Sequence, residues 1–184
     1  MKEIRLHGRG GQGVVKASHI AVAAAVKGGL YGQFIPFFGV ERKGSPVFGY
    51  LRLSRDEIRR KTQIYEPDVL VIMDDTLIHL PQTYAGLKDG GTVLINSTKT
   101  LEELAVPDCA GVVAEVDATG ISEELFGKNL PNTAVLGAFA KVVGLVDKAL
   151  LFNEIDATFG SQNRKAAEIA FESVKYLKGG EADV

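Results

Sequence analysis

A glycine-rich segment near the amino terminus has the residue types and the spacing that suit phosphate binding. Gly8, Gly10 and Gly13 satisfy the pattern G-x-G-x-x-G within the sequence GRGGQG. We expect residues 3–7 to form a strand before it and residues 14–26 a helix after it. Glycines permit positive φ and close backbone approach, and the helix start offers unpaired N–H groups. The segment therefore predicts a phosphate site or, alternatively, a tight turn that serves only helix–sheet packing.

The interpretation of this motif as a dinucleotide site is incomplete. Such a site has an Asp or Glu about 20 residues further on, at the end of the second strand, to bind the ribose. Residues 28–38 contain no acidic residue, and the first one after the motif is Glu41. The sequence therefore lacks a standard NAD fingerprint.

A second candidate for ligand binding is the basic loop Arg42-Lys43-Gly44. Two adjacent cations beside a glycine suit a phosphate-rich ligand, because charge-assisted donors can turn towards it together. The alternative is an ordinary solvated loop that carries two charges. The position of this loop favours binding, since it leaves the predicted sheet on a side that could face the glycine-rich segment.

Three polar residues allow more than one interpretation. Asp74 and Asp75 follow a predicted central strand, a place where sites of α/β proteins gather, and they could bind a metal or act as acid and base. We favour one of them as the cap of a following helix and the other as a solvated carboxylate. Asn132 follows Pro131 at a predicted helix start, where it suits a helix cap and a ligand contact equally well.

Composition and periodicity predict one soluble domain that spans residues 1–184. Of the residues, 46% are apolar and 24% charged, and the net charge of −2 disfavours nucleic acid as a partner. No signal peptide or membrane segment is recognisable, so we expect a cytoplasmic protein. The fold class expected is α/β, a Rossmann-like three-layer sandwich with a mainly parallel sheet and helices on both faces. The predicted strands are 3–7, 30–38, 47–53, 68–73, 92–96 and 111–116, and the predicted helices 14–26, 76–88, 131–147 and 161–178.

Five segments, taken in order, resemble the gamma subunit of 2-oxoacid:ferredoxin oxidoreductases. They are HGRGGQG, GVERKGSPV, PDVLVIMDD, LKDGGTVLINST and PNTAVLGAFA, and they span almost the whole chain. The GRGGQG segment joined to ERKGSPV is much more specific than a glycine motif alone.

The resemblance implies an enzyme that converts a 2-oxoacid and coenzyme A into acyl-CoA and carbon dioxide and reduces ferredoxin. It implies alpha, beta and ferredoxin-like delta subunits as partners, which carry thiamine diphosphate, Mg²⁺ and [4Fe–4S] clusters. The single cysteine, Cys109, agrees with this, because one thiol cannot hold a cluster. The chain itself would contribute no catalytic residue and no metal ligand, and it would be inactive alone.

The resemblance also implies which residues contact coenzyme A. Gly8, Arg9, Gly10, Gly11, Gln12 and Gly13 would surround its phosphates or pantetheine, and Arg42, Lys43 and Gly44 would supply electrostatic contacts. The form of the ERKGSPV segment favours pyruvate as the 2-oxoacid, with 2-oxoglutarate, 2-oxoisovalerate and indolepyruvate as alternatives. Two other functions stay open: a freestanding nucleotide-binding oxidoreductase and a purely structural subunit.

Overall fold

The centre of the computed structural model, which describes residues 1–37 and 44–180, is a mixed seven-stranded sheet. Its order is β2-β3-β1-β4-β5-β6-β7. β1, β4, β5 and β6 are parallel neighbours, whereas β2, β3 and β7 pair antiparallel at the two edges. The strands are β1 Lys2–Arg9, β2 Tyr31–Phe37, β3 Pro46–Ser54, β4 Val69–Ile72, β5 Gly91–Asn96, β6 Ala110–Val116 and β7 Lys175–Lys178.

Helices cover both faces of this sheet, which confirms the predicted α/β three-layer architecture. The larger core lies on the face covered by the longer helices, and the smaller core lies under the short ones. β4 is buried along its whole length because it lies between these layers. The helices are α1 Val14–Lys27, α2 Pro81–Tyr84, α3 Leu101–Leu104, α4 Ala118–Phe126, α5 Asn132–Val143, α6 Lys148–Phe159 and α7 Ser161–Ser173, with a 3-10 helix at Asp75–His79.

Helix α1 lies close to the sheet because the side chains on its buried face are small. Ala17, Ala21, Ala24 and Ala25 are all fully buried there. The helix ends at Gly28, whose N–H donates to the carbonyl of Ala24 at 3.0 Å. This packing places the start of α1 directly after the end of β1.

A buried arginine on β1 fixes α2 to the opposite face of the sheet. The Nη2 group of Arg5 donates to the carbonyls of Thr83 at 3.1 Å and Ala85 at 2.7 Å, at the C-terminal end of α2. Its Nε donates to Nε2 of His7 at 2.9 Å. Cations are stabilising at helix C-termini, so Arg5 both satisfies and anchors the end of this short helix.

The C-terminal part of the chain differs from the prediction. The predicted helix 161–178 ends at Ser173, and Lys175–Lys178 pairs antiparallel with β6. Pairing with an open sheet edge outweighs local helix preference here. The predicted helix 76–88 is split at Pro81, which lacks the N–H that a continuous helix needs.

Three helices were absent from the prediction. Helix α6 begins after Asp147, whose carboxylate accepts from the N–H of Leu150 at 3.0 Å. α3 and α4 begin with capping side chains of the same kind, from Thr100 and Asp117. None of the helices within the described ranges is long and apolar enough to cross a membrane.

Candidate functional site

The carboxyl ends of the parallel strands meet at one edge of the sheet, where polar side chains line a cavity of about 350 Å³. Gln12 from the glycine-rich segment and Asp74 from the end of β4 lie on one side. Asn96 and Thr119, which follow β5 and β6, lie on another. This edge is where open α/β sheets bind their ligands.

The two segments singled out in the sequence lie against each other. The N–H of Gly10 donates to the carbonyl of Ser45 at 2.9 Å, and the N–H of Gly44 donates to the carbonyl of Gly10 at 3.2 Å. The Nη1 group of Arg9 also donates to the carbonyl of Gly44 at 3.0 Å. The expected proximity is therefore confirmed for Gly44, whereas Arg42 and Lys43 lie outside the described residues.

The side chains of Arg9 and Gln12 hold the glycine-rich segment to the end of β4. Gln12 accepts from the N–H of Arg9 at 2.8 Å and donates to a carboxylate oxygen of Asp74 at 2.8 Å. Arg9 donates to the hydroxyl of Thr76 at 2.6 Å, and its Nε lies 3.3 Å from Asp74. The main interactions of both side chains are thus internal to the protein.

The structure confirms the prediction that one aspartate of the pair caps a helix, and that aspartate is Asp74. It is the N-cap of the 3-10 helix and accepts from the N–H of Thr76 at 3.0 Å. Burial alone would raise the pKa of its carboxyl group. The hydrogen bonds from Thr76 and Gln12 and the charge of Arg9 outweigh burial and hold that pKa below its ordinary value.

Asp75 differs from the prediction of a solvated carboxylate, because it is paired. One of its oxygens accepts from the hydroxyl of Ser97 at 2.9 Å and lies 2.9 Å from Nζ of Lys99. Within residues 1–37 and 44–180, His, Cys, Asp and Glu do not gather in groups of three or more that could hold a metal ion. The aspartates thus organise loops at this edge of the sheet.

Asn96 and Thr119 form a polar pair that sequence reasoning missed. The Asn96 amide donates to the carbonyl of Met73 and to the hydroxyl of Thr119, both at 2.9 Å, and accepts from the N–H of Thr119 at 3.1 Å. The sequence pattern could have predicted this pair, because Asn96 ends the predicted strand 92–96. Thr119 follows the predicted strand 111–116 at the same edge.

Gly13 shapes the start of α1. Its φ of 81° is in the left-handed region, and a Cβ atom there would lie 2.6 Å from Nδ2 of Asn132. Only glycine therefore allows α5 to approach the start of α1 so closely. Asn132 itself is the first residue of α5, and its side chain does not cap that helix.

This arrangement supplies two kinds of binding group. The first N–H groups of α1 have no intrahelical partner, and no side chain caps them, so they are available to an anion. The cavity beside them presents carboxylate, amide and hydroxyl groups that suit polar parts of a larger ligand. The arrangement therefore combines an uncapped helix start, which can accept an anion, with a polar cavity that also contains carboxylates.

Comparisons with known proteins agree with one another. The sequence pattern of the family described as pyruvate ferredoxin/flavodoxin oxidoreductase matches residues 3–175. The pyruvate/ketoisovalerate oxidoreductases common subunit gamma of Thermococcus kodakarensis is 50% identical over 93% of this chain and 96% of its own length. The NADH-dependent phenylglyoxylate dehydrogenase subunit gamma of Aromatoleum evansii is 44% identical, with 95% of this chain and 94% of that protein covered.

A solved structure supports the same relationship. The crystal structure of pyruvate oxidoreductase subunit PORC from Thermotoga maritima superposes with a TM-score of 0.83 at 33% identity. The match covers 96% of this chain and 98% of that one. Sequence and fold are therefore shared over nearly the full length of both chains.

Proposed function

Since this chain belongs to the pyruvate ferredoxin/flavodoxin oxidoreductase family, we propose that it is the gamma subunit of a multi-subunit 2-oxoacid:ferredoxin oxidoreductase and contributes to coenzyme A binding. The assembled enzyme converts a 2-oxoacid and coenzyme A into acyl-CoA and carbon dioxide and transfers the electrons to ferredoxin. Alpha, beta and ferredoxin-like delta subunits are its partners, in the cytoplasm. They carry thiamine diphosphate, Mg²⁺ and the [4Fe–4S] clusters, since the only cysteine of this chain is Cys109.

The observation that carries this proposal is the contact between the glycine-rich segment and the segment that begins at Gly44. Hydrogen bonds join Gly10 to both Gly44 and Ser45. The two cations Arg42 and Lys43 directly precede Gly44 in the sequence. Two positively charged residues therefore directly precede, in the sequence, a residue that is hydrogen bonded to the glycine-rich segment. Positive charges at that point of the sequence suit the several phosphates of coenzyme A.

The residues of this chain bind and orient the coenzyme. The glycines, from Gly8 to Gly13, permit close backbone approach, and the start of α1 offers N–H groups to phosphate oxygens. Arg9 and Gln12 keep that backbone in place through Asp74. Coenzyme A supplies the thiol that receives the acyl group, and a fixed phosphate end directs this thiol towards the active site of the partner subunits.

Pyruvate remains the 2-oxoacid that we favour, on the form of the ERKGSPV segment. The relatives support a role that the gamma subunits of several enzymes share. They do not point to one particular substrate. A common subunit named for pyruvate and ketoisovalerate enzymes and a subunit of a phenylglyoxylate enzyme are both similar to this chain, at 50% and 44% identity. We therefore assign selection of the 2-oxoacid to the partner subunits, with 2-oxoglutarate, 2-oxoisovalerate and indolepyruvate as the alternatives to test.

A purely structural subunit is the second candidate, and one observation favours it. The Arg9 and Gln12 side chains make hydrogen bonds within the protein, as packing residues would. A freestanding nucleotide-binding oxidoreductase has less support, because the ribose-binding acid is absent from residues 28–38.

Replacing Lys43 with alanine in the assembled enzyme distinguishes these functions. We expect the KM for coenzyme A to rise by about tenfold with little change in kcat, because a charge-assisted phosphate contact is lost. Steady-state viologen reduction with pyruvate measures both constants. Lys61→Ala is the matched control, because Lys61 is an exposed lysine outside both segments. An unchanged KM in Lys43→Ala removes Lys43 from the site.

A further inference from the structure

We infer that one face of the edge strand β2, together with the loop that follows β3, is the docking surface for an acidic partner subunit. We call it the β2 surface and define it by six side chains, those of Tyr31, Gln33, Ile35, Phe37, Arg60 and Tyr65. The inference rests on the proposed function for the existence of partner subunits. It adds where one of them binds and which charge its binding face carries.

The first observation is that exposed aromatic side chains gather at the β2 surface. Among the described residues, the exposed large apolar side chains include three aromatic ones, Tyr31 at 50%, Phe37 at 40% and Tyr65 at 72%. Aromatic residues are enriched in the cores of protein interfaces, and a group of exposed apolar side chains marks a site of interaction. These three residues are therefore suited to contact a protein partner.

Strand alternation and two hydrogen bonds bring the loop and β2 onto one surface. The odd-numbered residues of 31–37 share one face of the sheet, because side chains alternate along a strand. Arg52 on β3 donates to the side-chain carbonyl of Gln33 at 3.1 Å and to the backbone carbonyl of Gln63 at 3.3 Å. This arginine holds the loop beside β2, and Tyr65 follows two positions after its contact.

Tyr50 on β3 connects the far end of β2 with Tyr65. Its ring centroid lies 6.3 Å from that of Phe37. Burial raises the pKa of the Tyr50 hydroxyl, the charge of Arg5 opposes this rise, and the charge of Tyr65 adds to it. Phe37 and Tyr65 therefore both lie near Tyr50.

The second observation is the positive charge of the loop. Residues 55–61 contain four basic and two acidic residues, although the net charge of the whole chain is −2. The Nη1 group of Arg60 lies 3.7 Å from Oε1 of Glu3, an oxygen that already accepts from Nε of Arg52 at 2.9 Å. Two arginines thus share one carboxylate, which leaves an excess of positive charge. An acidic partner face is complementary to it.

The two outer edges of the described sheet differ in a way that supports an interface at β2. Strand β7 has only four residues and carries an exposed lysine at each end, Lys175 and Lys178, which disfavours pairing with another chain. Strand β2 has seven residues, and none of them is charged. An uncharged edge that also exposes aromatic side chains is expected to be covered in the assembled enzyme.

A second copy of this chain fits the β2 surface less well than an acidic subunit does. Pro36 lacks the N–H that a continuous ladder between two β2 edges would need. A two-fold contact would also place the basic loops of both copies at the same interface, where they repel each other. An acidic subunit that packs its side chains on the aromatic residues avoids both costs.

Photo-crosslinking in the assembled enzyme tests what covers the β2 surface. We expect Tyr65→p-benzoylphenylalanine to cross-link to a partner subunit, in a peptide where Asp and Glu outnumber Lys and Arg. Mass spectrometry identifies that peptide. Ile169→p-benzoylphenylalanine, at an exposed apolar position of α7, is the control and should not label the same peptide. A cross-link to a second copy of this chain, or to a peptide without excess acid, would overturn the inference.

Salt dependence tests the charge of the partner face. In an anaerobic pull-down of the tagged chain, Arg60→Glu should release the cross-linked subunit at about half the salt concentration that the wild type needs, or less, because attraction becomes repulsion. Arg60→Gln, which only removes the charge, should lie between them. Lys165→Glu makes the same type of charge change at an exposed position of α7 and should behave as the wild type.

Thermal unfolding of the purified chains shows whether such a release reflects binding. Arg60 is an exposed side chain, so Arg60→Gln should keep the wild-type Tm while it releases the subunit earlier. Release of the subunit at the same salt concentration by wild type, Arg60→Gln and Arg60→Glu would contradict an acidic partner face.

The assembled enzyme also separates this inference from the proposed function. A complex that forms, but in which Tyr65→p-benzoylphenylalanine gives no cross-link, overturns the inference and keeps the proposed function. A wild-type chain that captures no partner subunit at any salt concentration contradicts both. A cross-link to an acidic peptide together with early release in Arg60→Glu supports both.

Discussion

At the scale of single residues, the glycine-rich segment contains side chains that hold it in place and a glycine that permits close packing. Arg9 and Gln12 are engaged by Asp74 and Thr76, so their side chains position the segment. Gly13 has the opposite role, because its lack of a side chain leaves room for the Asn132 amide. The motif pointed to this edge of the sheet, but it did not tell the supporting side chains from the glycine that permits close packing.

His7 gives a pH-dependent contribution to stability. Burial, and secondarily the charge of Arg5, lowers the pKa of its imidazole from 6.5 to about 3. Between pH 6.5 and about pH 3, the imidazole binds a proton in the unfolded chain but not in the folded protein. The unfolding free energy therefore falls as the pH falls through this range. In His7→Gln we expect the loss of unfolding free energy between neutral pH and about pH 5 to be smaller by about 2 kcal/mol.

Urea unfolding at a series of pH values measures how the unfolding free energy changes with pH. This pH dependence is not affected by a change in stability that is the same at every pH. His79→Gln is the matched control, because His79 is exposed. Parallel pH profiles for the wild type and His7→Gln would show that His7 does not titrate differently in the folded protein.

At the scale of elements, the start of α1 packs against the start of α5 through the contact of Gly13 with Asn132. Residues of both helices belong to the larger core, so packing along their lengths fixes where they start. The α5 helix is buried over most of its length, from Asn132 to Ala140. A change at the junction therefore cannot be absorbed by moving either helix freely.

Gly13→Ala tests this junction. We expect it to lower the unfolding free energy by about 2 to 4 kcal/mol, because the left-handed backbone becomes strained and the new methyl group displaces Asn132. Gly144→Ala, at the end of α5, has the same type of backbone strain at φ 64° but open space around it. It should cost only about 1 to 2 kcal/mol in the same denaturant titration. Equal losses in the two variants would mean that the contact with Asn132 contributes nothing.

At the scale of the whole molecule, the chain belongs to a family of oxidoreductase subunits, and the proposed function assigns the redox chemistry to its partners. One cysteine in the full sequence cannot hold an iron–sulfur cluster. The relatives named above are likewise subunits. We therefore expect the purified chain to be colourless and without activity alone.

An anaerobic pull-down of the tagged chain from its native cells tests this expectation. We expect a brown complex that reduces viologen with a 2-oxoacid only when coenzyme A is present, because the proposed function assigns the iron–sulfur clusters to the partners. Pyruvate, 2-oxoglutarate, 2-oxoisovalerate and indolepyruvate, assayed in parallel, identify the preferred substrate. The chain purified alone is the control, and a colourless, partner-free product from cells that make the enzyme would contradict the subunit proposal.

The sequence by itself determined the elements with strong local signals. The buried run of β4 and the glycine break between β1 and α1 were predicted because hydrophobic period and glycine are local properties. It also identified the family, because five segments in order carry more information than one motif.

Only the tertiary structure decided which distant residues share the site. Strand β7 forms because β6 offers a free edge, and nothing local in Lys175–Lys178 shows that edge. The contact of Asn132 with Gly13, more than a hundred positions away in the sequence, likewise depends on how α5 packs against α1. Local chemistry fixes what a segment can form, whereas packing between distant segments fixes which polar groups remain free for a ligand.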